Sequence, residues 1–392
     1  MNCRLFVSVA FLTLAVGAAS SGAGAGTAAG VRPPKVTILQ SSPGLASGLI
    51  FIAPKAAGIG GGPQPGPIGP EIVDNRGHVV WFSPVTNGQV ATDFRVQMYR
   101  GRPVLTWAQQ RNFGLLAQGT SFYYILDDRY HVVATVRAGN GLNADAHEFL
   151  LTPRGTAFIT IYDVVSRDLT SVGGANRAKV IEGTVQEVDV YTGRVVFEWH
   201  SLGNVALGES YWPLPNSANV PWDYFHLNAI AVDDDGNLLV SARHTSAVYK
   251  IDRHTGRIIW RLAGRKSDFR LGPGARFWFQ HNAVAAGPDT IRIFDNEVNP
   301  KPVLPYSRVI RVKLDPSAKI ATLVGSFRHP NKLSAVSQGN AQALDNGDTF
   351  VGWGQTGHFS EFDSNGHMLF DAVLPKGYDT YRAYRFRWPA SP

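Results

Sequence analysis

The chain has 392 residues, of which 44% are hydrophobic and 17% charged, a composition that excludes a disordered polypeptide and suffices to bury a large core. The formal net charge is +7, but the basic residues are scattered apart from a C-terminal stretch that contains Arg382, Arg385 and Arg387. This distribution excludes the concentrated basic surface of a nucleic-acid-binding protein and favours a small anionic partner.

The first 30 residues have the pattern of a secretory signal peptide. One charge, Arg4, precedes an apolar run that ends at Ala19 and is followed by small residues. A retained membrane anchor needs about 20 apolar residues, whereas polar residues and glycine interrupt this run. We therefore expect a cleaved signal peptide over residues 1–30, a secreted or periplasmic protein, and no stable membrane insertion. The only cysteine, Cys3, precedes the apolar run, so the mature chain should contain no disulfide and should depend on packing within a large closed fold.

Residues 31–70 contain a predicted N-terminal strand and a Gly/Pro-rich stretch, which we assign to a segment outside the main domain. From residue 71 onwards, six segments share one pattern: an alternating strand, a turn built on aspartate, and a second strand. Their turn residues are Asp74, Asp127, Asp189, Asp252, Asp315 and Asp363. These aspartates are 48 to 63 residues apart, which is long enough for four strands and their loops in each repeat.

A second type of hairpin precedes most of these segments, so each repeat consists of two hairpins. Alternation with period two dominates, and no stretch of the sequence sustains a helical period. Four-stranded units repeated around an axis form a β-propeller. We therefore predict an all-β fold, a six-bladed β-propeller with four-stranded antiparallel blades over residues 71–392. A pair of β-sandwiches is disfavoured because the repeats are alike in kind and regularly spaced.

Three consecutive repeats have a histidine at the start of their first strand: His147, His226 and His281. In a propeller this strand is the innermost of its blade, so its first residues lie near the central axis. Other repeats have Phe94 or Gly339 near this position, and the fold therefore does not require histidine there. We interpret the three imidazoles as a polar group that faces the central channel.

The hairpin that begins at His226 supplies further polar groups. Asn228 follows two residues along the strand, where alternation places it on the same side, and the return strand brings Arg243 and His244 back to the same end. Asp295 and Asn296 should return in the same way beside the next histidine. Imidazole, carboxamide and guanidinium donors together suit a tetrahedral oxyanion such as sulfate or phosphate.

A metal site is a second interpretation of the same region. Asp145, Glu148 and Asp223 lie close in sequence to the histidines and could add oxygen ligands around a divalent ion. The chain contains no H-x-H or H-E-x-x-H spacing that would support such a site. We therefore expect no metal and no other cofactor.

Several of these stretches resemble the arylsulfotransferase family. The most specific are HLNAI, which begins at His226, and SARHTSAVYKI, which contains Arg243. Similar stretches are GPEIVDNRGHVVWF, HEFLLTPRG, FQHNA and the closing YRAYRFRW. The resemblance extends from about Gly66 to Trp388 and so covers nearly all of the expected mature chain.

The resemblance implies an enzyme that does not use 3′-phosphoadenylyl sulfate and that moves a sulfuryl group from a phenolic sulfate ester to a phenol. It implies a sulfated-histidine intermediate with His281 as the nucleophile. It further implies that His147, His226, Asn228 and Arg243 hold and polarise the sulfuryl oxygens. An imidazole can attack sulfur directly, which divides one difficult transfer into two displacements.

The chain departs from better-known bacterial members of the family in two ways. It is shorter, and its expected mature part has no cysteine pair. Residues 31–70 are too few for the N-terminal β-sandwich domain that some relatives use for dimer contacts. We therefore expect a monomer.

Aromatic residues in the loops beside the histidine strands could stack on a phenol or pack in the core. They are Phe113, Phe122, Tyr211, Trp212, Trp222, Tyr224, Phe277, Trp278 and Phe279. Two other function classes are compatible with the sequence. One is a non-catalytic propeller that binds a ligand or a protein. The other is a metal-dependent hydrolase or lyase that uses the three histidines with Asp145 or Asp223.

Overall fold

The computed structural model describes residues 30–58, 63–111, 121–298 and 304–389. These residues form six sheets of four or five strands each, with three short 3-10 helices between them. The prediction of an all-β, six-bladed propeller with four-stranded antiparallel blades is confirmed. The expected signal peptide, Cys3 and Phe113 lie outside the described residues.

The strands of the first half of the chain are β1 (Thr37–Ser41), β2 (Leu49–Ala56), β3 (Glu71–Val73), β4 (Val79–Phe82), β5 (Gln89–Tyr99), β6 (Arg102–Arg111), β7 (Ser121–Leu126), β8 (Val132–Val136), β9 (Ala144–Leu151), β10 (Thr156–Arg167), β11 (Ala178–Asp189) and β12 (Val195–His200). Those of the second half are β13 (Leu227–Val232), β14 (Leu238–Ala242), β15 (Ala247–Ile251), β16 (Ile258–Ala263), β17 (Arg270–Leu271), β18 (His281–Ala285), β19 (Thr290–Asp295), β20 (Arg308–Asp315), β21 (Ile320–Phe327), β22 (Asn340–Ala343), β23 (Thr349–Gly352), β24 (His358–Phe362), β25 (Met368–Val373) and β26 (Tyr378–Phe386). The 3-10 helices are Thr170–Val172, Leu207–Glu209 and Gly354–Thr356. No helix in the described ranges is long and apolar enough to cross a membrane.

Blades 2, 3 and 4 each consist of four consecutive strands, β5–β8, β9–β12 and β13–β16. Blade 5 contains β18–β21, with the two-residue strand β17 added in parallel at its outer edge. Blade 6 contains β22–β25, and β1 pairs with β25 at its outer edge. The innermost strands of blades 2 to 6 are therefore β5, β9, β13, β18 and β22.

Blade 1 is assembled from both ends of the chain. Its strand order is β26-β2-β3-β4, so the last strand of the chain pairs antiparallel with β2, for example Ala383 with Ile52. This pairing closes the ring of blades and removes two exposed strand edges. It also places β2 inside the propeller, although the repeat pattern had left the residues of β2 in the N-terminal segment.

The six turn aspartates cap the outer hairpins in one way. In each turn the Oδ1 atom accepts a backbone N–H bond from the residue two positions on, as Asp74 does from Arg76 (2.8 Å) and Asp363 from Asn365 (2.9 Å). The other four do the same. Aspartate side chains form such turns because their short carboxylate reaches the following backbone amides. The sequence repeat therefore reflects the same aspartate-capped turn in each outer hairpin.

Apolar side chains fill the space between adjacent blades. Between blades 3 and 4, for example, Phe158, Trp199, Phe225 and Tyr249 belong to one buried cluster. Each fully buried side chain of this size contributes about 1.5–3 kcal/mol. Packing between blades is therefore a main source of the stability of this fold.

A buried ionic network lies at the centre of the ring. Arg382 of β26 bonds Asp93 of β5 (2.9 Å) and Glu148 of β9 (3.0 Å). Its Nη2 also donates to the backbone carbonyl of Asn228 in β13 (3.0 Å). Arg95 pairs with the same two carboxylates. One arginine of the closing strand therefore connects blades 1, 2, 3 and 4 beneath the histidine strands.

Candidate active site

The three histidines meet near the axis, as their common position in the repeat predicted. His147 lies in β9, His226 immediately precedes β13, and His281 is the first residue of β18. The ring centroids are 5.1 Å apart for His147 and His226 and 6.5 Å apart for His226 and His281. His281 is buried, whereas the side chains of His147 and His226 retain 13% and 20% exposure. The site therefore has a deep imidazole and two that are closer to solvent.

His281 is held as a neutral imidazole of one tautomer. Its Nδ1 lies 2.7 Å from Asn296 Oδ1, and the Asn296 amide nitrogen donates to the carbonyls of Ala335 (2.9 Å) and Gln338 (3.0 Å). The oxygen of this carboxamide consequently faces His281, which must donate from Nδ1. Its Nε2 then carries a lone pair, which accepts the backbone N–H of Gln338 (3.1 Å). Burial, together with the charge of Arg243, holds the pKa of His281 well below its ordinary value.

His147 and His226 have carboxylate partners instead. His147 Nδ1 bonds Asp145 Oδ1, and His226 Nδ1 bonds Asp223 Oδ2. Burial lowers the pKa of His226 more than Asp223 raises it. Burial raises the pKa of the Asp223 carboxyl, but the neighbouring His226 and His244 lower it by more. The net result is a pKa well below the usual range of an aspartate. Each carboxylate accepts the Nδ1–H bond of its histidine and orients the ring.

Arg243 lies beside these rings with its guanidinium fixed at both ends. Nη1 donates to His244 Nε2 (2.8 Å), and Nη2 donates to the carbonyl of Val336 (3.0 Å). The guanidinium carbon lies 4.7 Å from the centre of the Phe279 ring. Burial lowers its pKa to about 10, which leaves it charged at neutral pH. Arg243 has no carboxylate ion-pair partner in the part of the chain that the structure describes, and its charge is therefore available to an anion.

Asn228 occupies a different position from the one that alternation predicted. A register shift interrupts the pairing of β13 with β14 between Leu227 and Ala229, and His226 has a positive φ of 54°. The Asn228 amide nitrogen donates to the carbonyl of Gln280 (2.7 Å), the residue before His281. Asn228 thus connects blade 4 to the backbone that supports His281, and it makes no hydrogen bond to the imidazoles.

Asp295 and Asn296 both return to the histidine end of blade 5, but only Asn296 contacts His281. Asp295 pairs with Arg308 (2.9 Å) and accepts the amide of Trp278 (3.0 Å). Burial and the neighbouring Glu297 raise its pKa to about 7. Asp295 therefore supports the strand ends rather than the site.

Two tyrosines that the sequence did not single out border the site. The Tyr162 ring stacks on His147 at 5.2 Å, and its hydroxyl donates to the carbonyl of Leu227 (2.7 Å). Tyr381 presents its ring edge-on to His147 (5.6 Å) and His281 (6.4 Å). Tyr162 lies in the second strand of its blade, and Tyr381 lies in the closing strand β26, so neither shares the position that identified the histidines.

A model of the arylsulfotransferase family matches residues 95–374. This match covers most of the chain and includes all five predicted site residues. The chain belongs to the arylsulfotransferase family. No curated protein matches this family member.

Two solved structures are similar to this family member at low sequence identity. One is a protein of unknown function from Bacteroides caccae, with 12% identity, a TM-score of 0.47, and 87% of this chain and 100% of that chain covered. Another is selenomethionine-substituted virginiamycin B lyase from Staphylococcus aureus, with 10% identity, a TM-score of 0.40, and coverage of 86% and 88%.

The predicted aromatic residues that the structure describes differ in their position relative to the site. Trp212, which is 37% exposed, stacks on His244 at 4.4 Å, and Phe279 lies under Arg243. These two border the site. Of the others, Trp222, Tyr224 and Phe277 are buried, Tyr211 and Trp278 pack on each other at 5.2 Å, and Phe122 lies under Arg137.

The atoms around Asp223, His226 and His244 are close enough together to hold a metal ion. Their hydrogen bonds do not fit one. His244 Nδ1 donates to the backbone carbonyl of Asp223, and its Nε2 accepts from the Arg243 cation. No lone pair of His244 remains for a metal, and the adjacent guanidinium repels a second cation. The donor set of this site suits an oxyanion better than a cation.

Proposed function

We propose that this protein transfers a sulfuryl group from a phenolic sulfate ester to a phenol through a sulfated His281. Membership of the arylsulfotransferase family supports the class of reaction. The choice of His281 depends on one observation: its Nδ1 faces the neutral carboxamide of Asn296, whereas His147 and His226 face carboxylates. The three imidazoles therefore differ in what happens to the Nδ1 proton.

A carboxamide can accept the Nδ1–H bond of His281 but cannot take the proton. When Nε2 bonds to sulfur, the ring becomes an N-sulfo-imidazolium, which is a good leaving group for the second transfer. A carboxylate at the same position would draw the proton away and leave a more stable, less reactive sulfo-imidazole. The Asn296 partner therefore suits an intermediate that must break down again.

In the first step the lone pair of His281 Nε2 attacks sulfur. The N–S bond forms, the S–O bond to the donor breaks, and the electron pair leaves on the phenolate. In the second step an acceptor phenol loses its proton and attacks the same sulfur, and the N–S bond breaks to restore neutral His281. His147 or His226 serves as the base, since each ring bonds a carboxylate through Nδ1 and keeps the lone pair of Nε2.

Charge on the sulfuryl oxygens needs preorganised donors during both steps. Arg243 supplies a fixed guanidinium whose position is set by His244 and Val336. The Gln338 amide donates to Nε2 in the free protein (3.1 Å). Once the lone pair is used in the N–S bond, this amide lies beside a sulfuryl oxygen and becomes a donor to it. Trp212 offers an exposed aromatic face on which a phenol ring can stack.

The test is turnover of 4-nitrophenyl sulfate in the presence and absence of phenol. We expect about one equivalent of nitrophenolate per protein without acceptor, followed by slow release, and continuous release when phenol is added. His281→Ala should abolish both phases. His254→Ala, an exposed histidine in the outer turn of blade 4, is the matched control and should behave as the wild type.

Three outcomes would contradict the proposal. Transfer by the His281→Ala protein would remove the nucleophile. Turnover that a chelator abolishes would favour the metal-dependent hydrolase, and phenol binding without turnover of any aryl sulfate would favour a binding propeller.

We further propose that the protein acts as a monomer outside the cytoplasm, which sedimentation and detection in the exported fraction would test.

A further inference from the structure

A second cluster of histidine and aspartate side chains lies in blade 6, outside the site described above. His329 belongs to the blade 5–6 loop, residues 328–339, which connects β21 to β22. His358 is the first residue of β24, and Asp371 lies in β25. The three side chains thus come from three separate segments and meet at the end of the blade that faces the active site.

Their ligand atoms have the spacing of a metal site. His329 Nε2 is 3.2 Å from Asp371 Oδ2, and His358 Nδ1 is 3.4 Å from Asp371 Oδ1. One ligand atom from each of the three lies within 4.8 Å of the others. In a tetrahedral zinc site with bonds of about 2.0–2.1 Å, neighbouring ligand atoms are roughly 3.3–3.4 Å apart.

The hydrogen bonds of His329 supply an independent observation. Its side chain is fully buried, yet Nε2 makes no well-aligned hydrogen bond, and its neighbour is the Asp371 carboxylate oxygen at 3.2 Å. Buried polar atoms are nearly always satisfied in folded proteins, and an exception calls for a ligand or another cause. This nitrogen lies beside the Asp371 carboxylate, where a metal ion would replace the poorly aligned contact.

We propose that His329, His358 and Asp371 bind one zinc ion. Two imidazole nitrogens and a carboxylate oxygen are a donor set that zinc prefers, and a water molecule completes it from the partly exposed side of His358. The Ser360 hydroxyl donates to Asp371 Oδ1 (2.9 Å) and orients the carboxylate, as outer partners of zinc ligands do.

Zinc binding requires one rearrangement. The Asn331 amide donates to His329 Nδ1 (3.1 Å), which places the proton of the neutral ring on Nε2. Coordination at Nε2 moves this proton to Nδ1 and breaks the bond to Asn331. One neutral hydrogen bond is thereby exchanged for a metal–nitrogen bond that joins the loop to two strands.

The ion would fix the loop that borders the active site. The same loop supplies the Val336 carbonyl that accepts from Arg243 and the Gln338 amide that donates to His281. Zinc at one end of the loop would therefore limit its movement at the other end. The binding itself does not depend on the proposed sulfuryl transfer.

The experiment is calorimetric titration of chelator-treated full-length protein with zinc chloride. We expect saturable binding of one equivalent that His358→Ala and Asp371→Asn reduce at least a hundredfold, with the fold of each variant checked by circular dichroism. His367→Ala is the matched control, because His367 pairs with Asp363 in an exposed turn of the same blade and should bind as the wild type.

His226→Ala separates this cluster from the active-site imidazoles and should retain the full equivalent of zinc. Cobalt substitution should give the visible absorption of a four-coordinate ion, which disappears in His358→Ala. The proposal is wrong if the wild type shows no saturable zinc binding, if His358→Ala binds as tightly as the wild type, or if the equivalent is lost only in His226→Ala.

Discussion

Replacement of Arg243 by lysine tests whether the fixed geometry of the guanidinium, rather than its charge alone, serves the reaction. The guanidinium donates from Nη1 to His244 and from Nη2 to Val336 and lies over Phe279. Lysine retains the charge but has a single nitrogen, which cannot make both bonds and also face a sulfuryl oxygen. Loss of one preorganised donor raises a transition-state barrier by about 2.7–4 kcal/mol.

We therefore expect Arg243→Lys to reduce kcat/KM for 4-nitrophenyl sulfate by roughly a hundredfold to a thousandfold. The assay is initial-rate release of nitrophenolate at saturating phenol, together with a urea unfolding curve. Arg257→Lys, in the exposed outer turn of the same blade, is the control and should have wild-type kinetics. A loss of less than about tenfold in a folded Arg243→Lys protein would refute the assignment of Arg243 as a positioned sulfuryl donor.

Three further predictions follow from the same geometry. His244→Ala should reduce kcat/KM about ten- to a hundredfold, because a hydrogen bond to a charged group is worth about 1.5–3 kcal/mol. His244→Gln retains an acceptor and should recover part of this loss, so equal rates for the two variants would argue against a positioning role. The pKa of His281 lies well below its ordinary value of 6.5, so protonation removes its lone pair only in acid. We therefore expect kcat/KM for 4-nitrophenyl sulfate to stay level as the pH falls from 7.5 through 6.5. A decline centred at pH 6.5 or above would contradict the neutral tautomer. Arg382→Met should lower the free energy of unfolding by about 3–5 kcal/mol, since it leaves Asp93 and Glu148 buried with fewer cations. Urea titration measures this loss, and Arg387→Met, at an exposed arginine, is the control. A loss under about 1 kcal/mol would contradict the role of the central network.

The repeat of turn aspartates predicted the blades because each Asp turn is a local structure that needs only neighbouring amides. The common position of His147, His226 and His281 predicted their convergence, since a propeller brings equivalent strand starts to one axis. Both inferences depend on features that the fold repeats. They did not depend on knowing how any one blade packs.

Contacts that break the repeat could not be predicted in this way. Alternation placed Asn228 beside His226, but the register shift in β13 turns its amide to Gln280. Tyr381 reaches the site only because β26 completes blade 1, a pairing between residues more than 300 positions apart for which the repeat gives no signal. The bond from Gln338 to His281 depends on the conformation of the blade 5–6 loop, whose sequence has no period.

The proposed mechanism depends on which histidine nitrogen carries the sulfuryl group. Brief reaction of the protein with 4-nitrophenyl sulfate in the absence of a phenol, followed by alkaline digestion and mass spectrometry, measures it directly. We expect one acid-labile sulfuryl adduct, on His281, that disappears when phenol is added before digestion. An adduct on His147 or His226 instead, or continued transfer by a protein that forms no adduct, would contradict this mechanism.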